Sequence, residues 1–196
     1  MDGDLGVNTI TVVDARMGRG KSSAAIRYMN RYKGTKRFLY ITPYLDEVDR
    51  ICEQCNFDQS DNDYSTKSAE LKQHMRHGKN VAATHSLFYL MDEEVLNLVR
   101  EKHYSLVIDE SIQVIERLNI TDKDFELIIG LLAEEDEQGI IHWKDEDYTG
   151  RFCDYKEMAD VGSLQRIDGS LLNIMNPELL MAFDEVFMLT YLFDGQ

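Results

Sequence analysis

The sequence predicts an α/β fold: a parallel sheet covered on both faces by helices. Three observations point to it. Short apolar runs alternate with helix-patterned segments through the first two thirds of the chain, as successive strand–helix–strand crossovers require. A glycine-bearing loop, Ala15-Arg16-Met17-Gly18-Arg19-Gly20-Lys21-Ser22, follows the first apolar run directly. A later apolar run, Leu106 to Ile108, ends in the acidic pair Asp109-Glu110, which belongs at the carboxyl edge of such a sheet.

Taken in order, Thr9 to Asp14 is the first strand and Ser22 to Tyr32 the first helix. Arg37 to Thr42 is the second strand. Pro43 then introduces a helix from about Leu45 to Cys55, where a missing N–H costs nothing. Asn56 to Ser68, rich in Asp, Asn and Ser, reads as a loop. Ala69 to His77 is a helix, Asn80 to Thr84 the third strand, Tyr104 to Asp109 the fourth and Val186 to Thr190 the fifth. The sheet domain is thus predicted over residues 1–118 and 177–196. Residues 119–176 read as a mostly helical, acidic insertion before the last strand. Its helical runs are Asp124 to Glu137 and Gly169 to Met175, on either side of a polar segment from Trp143 to Asp160. Pro177 and the helix-like Glu178 to Phe183 return the chain to the sheet.

The chain has 196 residues, enough to bury a sizeable core without covalent staples. Its three cysteines, an odd number, fit a reducing cytosol, and no apolar run reaches the length of a membrane span. A soluble, cytoplasmic protein with no membrane partner is expected. The formal charge of −15 is unevenly spread: residues 1–118 hold 16 basic and 18 acidic side chains, and residues 119–196 hold 5 and 18. The acidity therefore belongs to the second part. Arg27, Arg31, Lys33, Lys36 and Arg37 lie close together in the first part, as a phosphate-binding face or as the solvated end of a helix.

The chemistry concentrates in two places. Gly18 and Gly20 let the loop adopt backbone angles closed to other residues and turn its N–H groups inward. With Ala15, Arg16, Met17, Arg19 and Ser23 they would enclose the phosphates of ATP. Lys21 would reach the β- and γ-phosphates and Ser22 would offer a hydroxyl to Mg²⁺. The following helix adds the positive end of its dipole. Asp109 would hold the same Mg²⁺ through water, and Glu110 would polarise the attacking water. Lys21 and Glu110 are the expected catalytic residues.

Cys52-x-x-Cys55 and His74-x-x-His77 invite comparison with a zinc site, but their spacing departs from familiar fingers and two reduced cysteines on a helix suffice. Trp143, Tyr148, Phe152 and Tyr155 lie among acids that repel phosphates, so packing is expected of them rather than base stacking.

The order Ala15-x-x-Gly18-x-Gly20-Lys21-Ser22, Tyr40-Ile41-Thr42-Pro43, Ala83-Thr84-His85-Ser86-Leu87, Val107-Ile108-Asp109-Glu110-Ser111 and Met188-Leu189-Thr190 resembles the first RecA-like lobe of a superfamily 2 DExx (DEAD/DEAH-like) helicase. Particularly similar are helicase-like proteins encoded by bacteriophages and prophages. The resemblance implies a P-loop NTPase fold. It implies that Thr42 and Pro43 contact one strand of a nucleic acid, expected to be DNA, that Thr84 and His85 form a second contact, and that Thr190 couples the γ-phosphate to movement between lobes. Ala15 in place of glycine is common in helicase loops. Ser111-Ile112 departs from the better-known families, and Leu189-Thr190-Tyr191 matches the third motif loosely. Hydrolysis would be completed by a second lobe bearing an arginine finger, so this lobe alone is expected to be weakly active or inactive. The rival readings are a viral packaging-motor ATPase and a non-enzymatic nucleotide-binding module that docks a protein partner on its acidic insertion.

Overall fold

The computed structural model describes residues 9–16, 18–59 and 64–191. The chain forms two compact units, one of residues 113–176 and the other of the segments on either side of it. The first unit begins β1 (Thr9–Asp14), α1 (Lys21–Tyr32), β2 (Arg37–Thr42), α2 (Leu45–Cys55), β3 (Asp58–Gln59), α3 (Tyr64–Arg76), β4 (Val81–Thr84), α4 (His85–Tyr89), α5 (Glu93–Lys102) and β5 (Tyr104–Asp109). The second unit contains β6 (Ile115–Arg117), α6 (Asp122–Leu127), a π-helical turn over Ile128–Leu132, β7 (Ala133–Glu135), β8 (Ile141–Trp143), α7 (Cys153–Asp160), β9 (Leu164–Ile167) and β10 (Ser170–Ile174). The chain then completes the first unit with α8 (Glu178–Met181) and β11 (Glu185–Thr190).

The first unit is the expected α/β architecture. Its sheet runs in the order β1-β11-β5-β2-β4-β3 with every pairing parallel. Both faces are buried, so the central strands read as continuous apolar runs rather than alternating ones. Phe38, Tyr40, Ala82, Val107 and Leu189 pack against Ala25, Ile26 and Met29 of α1 and Val48, Ile51 and Cys55 of α2. The pleat sends Leu39, Ile41, Leu106 and Ile108 to the other face, where α4 touches β2 and α3 touches β4. Two helices that sequence periodicity missed start on side-chain caps. Thr84 accepts from Leu87 N at the start of α4, and Asp92 accepts from Val95 N at the start of α5. The segment read as a loop over residues 56–68 holds β3 and the first turn of α3 instead.

The second unit corrects the expectation of a mostly helical insertion. It holds a three-stranded antiparallel sheet, β6-β10-β9, and a β7–β8 hairpin beside two short helices and the π-helical turn. Gly169 to Met175 is not helical: Ser170 to Asn173 pairs with β9 across the two-residue turn Asp168-Gly169, both at positive φ. The run from Asp124 to Glu137 stops being helical at Ala133, because Ala133 to Glu135 pairs with Ile141 to Trp143. Asp136 fastens that turn by accepting from the N–H groups of Gln138 and Ile140. Pairing overrides the helix preference of Ala and Glu here. The unit has its own core around Ile128, Ile141, Phe152, Leu164 and Leu171, against which Trp143 and Tyr148 pack. Among the described residues no helix is long and apolar enough to cross a membrane.

Candidate functional site

The strands of the large sheet end together. Asp14 pairs with Thr190, Leu189 with Asp109, and Thr42 with Thr84. The residues singled out from the sequence therefore gather on one carboxyl edge, where open α/β sheets place their ligands. A cavity of about 640 Å³ opens there.

The loop between β1 and α1 forms one wall. Gly18 and Gly20 have φ of 74° and 77°, which glycine adopts without strain. Gly20 is also the N-cap of α1, and no side chain caps the helix or puts an acid in its first turn. The first turn of α1 thus lines the cavity with no side chain capping its N–H groups, an arrangement suited to an anion. Gly18, Gly20, Lys21, Ser22 and Ser23 line the cavity, Ala15 is half-buried outside that lining, and Arg16 and Arg19 are exposed. Met17 lies outside the described residues. Lys21 Nζ donates to the Ala15 carbonyl at 2.6 Å, which leaves two of its protons for phosphate oxygens.

The acidic wall meets this loop directly. Ser22 Oγ donates to Asp109 Oδ2 at 3.0 Å, joining residues 87 apart in sequence. Asp109 is 8 % exposed and Glu110 is exposed. Glu110 has a φ of 68°, a left-handed conformation that strains a residue with a Cβ. Strand β11 ties both walls together: the Leu189 carbonyl accepts from Glu110 N at 3.0 Å and the Thr190 carbonyl from Ala15 N at 3.2 Å.

A metal has a fitting place at this junction. The Ser22 hydroxyl and the Asp109 carboxylate are hard oxygen donors side by side. Mg²⁺ takes such a pair, directly or through water, and fills the rest of its shell with water and phosphate. Among the described residues no group of three or more His, Cys, Asp or Glu could form a protein cage for a metal. Cys55 is fully buried, burial pushes the Cys52 thiol up to about 11, and His77 Nδ1 contacts the Gln73 carbonyl. These groups do not converge on a zinc.

Three residues of the site escaped the sequence reading. Tyr40 donates to Asp109 Oδ2 at 2.6 Å, and burial holds its phenol well above the usual range. Its oxygen lies 3.4 Å from Glu47 Oε1, and Glu47 pairs with Arg50. Tyr40 reads as core within an apolar strand, and Glu47 and Arg50 read as a surface pair one turn apart. The available signal was parity: Tyr40 shares a sheet face with Thr42, and that face is the one α1 covers.

The residues expected on nucleic acid sit otherwise than their types suggest. Thr42 is 1 % exposed and lines the cavity, while Pro43 is exposed. Thr84 spends its hydroxyl as the cap of α4. His85 Nε2 lies 3.2 Å from the Asp109 carbonyl; a carbonyl only accepts, so Nε2 carries the proton. Burial lowers the pKa of His85 and keeps it neutral. Thr190 is buried and lines the cavity. Of the basic group, Lys33 donates to the Cys55 carbonyl, Lys36 pairs with Glu185 and Arg37 donates to the Lys102 carbonyl. Those three cations serve the fold.

Comparison with known proteins gives a relative and a family model that matches part of the chain. The "SPbeta prophage-derived uncharacterized protein YonV" of Bacillus subtilis (strain 168) is 30% identical over 203 aligned residues, covering 95% of this chain and 50% of that protein. The chain thus spans about half the length of the curated relative it matches. No solved structure matches the chain. The model of the YonV middle domain family matches residues 115–173, a stretch that falls within the second compact unit, residues 113–176.

Proposed function

We propose that the first unit is the ATP-binding motor lobe of a phage-type, superfamily 2-like DNA helicase or translocase, with a RecA-like P-loop fold. The observation that carries this reading is the 3.0 Å contact between Ser22 Oγ and Asp109 Oδ2 at the mouth of a glycine loop. It joins the two oxygen donors that a magnesium nucleotide needs, one at the start of α1 after β1 and one at the end of β5, two strands that only β11 separates. The prophage origin of the relative supports the phage assignment, and with it the cytoplasm of a bacterial host.

In this reading the loop N–H groups and Lys21 hold the β- and γ-phosphates and neutralise charge as the γ-phosphoryl group transfers. Ser22 and Asp109 would hold Mg²⁺, which would supply positive charge against the phosphates. Glu110 orients a water in line with the bond between the γ-phosphorus and the β–γ bridging oxygen and takes up its proton. Pro43 and the start of α4 meet the DNA, by backbone rather than by hydroxyls, because Thr42 is buried and Thr84 caps α4. A second lobe, within the length by which the relative exceeds this chain, supplies the remaining cation of the motor.

The test is calorimetric titration of the chain with Mg·ATP. The parent binds, and Lys21→Ala, which strips the loop's ammonium, loses most of that affinity. A folded Lys21→Ala variant with unaltered affinity overturns the assignment.

A further inference from the structure

The nucleotide cavity contains a cation that the sequence motifs do not account for. Arg50, in the second turn of α2, lines the same cavity as Lys21, Asp109 and Glu110. Its guanidinium pairs with Glu47 one turn earlier on the helix. Glu47 in turn approaches the Tyr40 hydroxyl, which donates to the carboxylate that receives Ser22. A continuous polar path therefore runs from the metal-side hydroxyl of Ser22 through Asp109, Tyr40 and Glu47 to Arg50. The pairing leaves the arginine incompletely used: its Nε is buried and has no acceptor among the described residues. Buried donors in native proteins are nearly always matched, so the arginine's hydrogen bonding is incomplete, and the part of its side chain that stays exposed opens on the cavity.

The position along the path indicates which acceptor. The start of α1 and Lys21 occupy the loop end of the cavity, where they would hold the β-phosphate, and Ser22 with Asp109 would hold the Mg²⁺ that accompanies the terminal phosphates. Arg50 lies beyond Asp109 on that path, so the group that reaches it is the terminal one. A guanidinium has five donors in a planar fork matched to phosphate, and Glu47 uses only part of it.

We infer that Arg50 is a γ-phosphate sensor within the lobe, its guanidinium donating to the terminal phosphate of a bound nucleoside triphosphate while Glu47 holds one Nη of the same fork. This rests on the nucleotide reading of the cavity. It adds a residue that distinguishes triphosphate from diphosphate on a helix that carries no other motif residue. Loss of the terminal phosphate would free Arg50 to return fully to Glu47, altering the wall to which Tyr40 and Asp109 belong.

The experiment is calorimetry on the whole chain with Mg²⁺ and, separately, ADP and a non-hydrolysable ATP analogue. The parent prefers the triphosphate. Arg50→Ala loses about tenfold or more of its triphosphate affinity, as expected for charge-assisted hydrogen bonds, while ADP affinity holds within about twofold. Arg50→Lys keeps the charge and the partnership with Glu47 but not the fork, and loses part of the preference; it serves as the decisive variant if Arg50→Ala fails to fold. Nucleotide binding that needs Lys21 but shows the parent's preference in both Arg50 variants overturns the sensor and leaves the nucleotide site standing. Absence of nucleotide binding to the parent, or binding indifferent to Lys21→Ala, overturns both.

Discussion

Tyr40 and Asp109 share a 2.6 Å hydrogen bond between neighbouring strands, and the oxygen it reaches is the one that accepts from Ser22. Tyr40 stands opposite Val107 in the β2–β5 register, so the phenol reaches two residues along β5 on the same sheet face. The phenol thus aims a nearly buried carboxylate at the loop.

Tyr40→Phe keeps the ring and removes that donor. The buried acceptor loses one of two partners, so the unfolding free energy should fall by about 1–3 kcal/mol, measured by urea titration. In the nucleotide reading the Mg²⁺ concentration needed for half-maximal nucleotide binding should rise as well, since Asp109 is less firmly oriented. An unaltered urea midpoint together with unaltered Mg²⁺ dependence would show that the phenol only fills space.

Glu110 holds its carboxylate at the cavity by means of a left-handed backbone. Glu110→Gly relieves the strain and should raise stability by about 1 kcal/mol, seen as a higher melting temperature. In the motor reading the same change removes the water-orienting acid, so any ATP turnover by the full-length protein should disappear. Glu110→Gln should keep the strain, bind ATP and fail to hydrolyse it. Turnover within a few-fold of the parent in either variant is incompatible with the role proposed for Glu110.

His85 makes the fold sensitive to acid. Its folded pKa lies below the ordinary histidine value because burial disfavours the charged ring, an effect only partly offset by the Asp109 carbonyl. The unfolded chain therefore takes up this proton at a higher pH than the folded one. The contribution is fully present above the unfolded pKa of about 6.5 and declines as the pH falls through it toward the folded value. Urea midpoints measured from pH 8 to pH 5 should fall less steeply in His85→Asn than in the parent. Parallel slopes would mean that His85 stays as solvated as a free imidazole.

The second unit has its own core, and Leu164 is fully buried in it. Leu164→Ala should destabilise that unit by about 2–5 kcal/mol, read by hydrogen exchange of the amides in β9 and β10. Protection of β2 and β5 should persist. If β2 and β5 lose protection to the same degree, the two cores unfold as one.

Much of the large sheet was legible because its strands are buried on both faces and leave uninterrupted runs such as Phe38 to Ile41 and Leu106 to Ile108. The Gly18, Gly20, Lys21, Ser22 and Asp109 positions were legible because loop chemistry dictates residue type. Helix α4 was not, since its five residues are too few to show a period, and Thr84 was read for a ligand rather than as a cap. In the second unit the Asp168-Gly169 pair between two short β-prone runs was the available hairpin signal. Helix-prone residues around it concealed the signal. The Tyr40, Glu47 and Arg50 path was hidden for a different reason: each residue is ordinary where it stands in the sequence, and only folding brings the three to one carboxylate.

Strand β11 lies between β1 and β5, so the strand bearing the glycine loop and the strand bearing the acids are not neighbours until it is in place. It is the last strand of the sheet to leave the ribosome, and it supplies the carbonyls of Leu189 and Thr190 that fix Glu110 and Ala15. A nascent chain that has emerged through residue 110 already contains every loop and acid residue of the site, yet has no means of setting the two walls at their final spacing. In the nucleotide reading, competence to bind should therefore arrive late in synthesis and abruptly, with the entry of a single strand, and would serve as a direct reading of whether the molecule has finished folding.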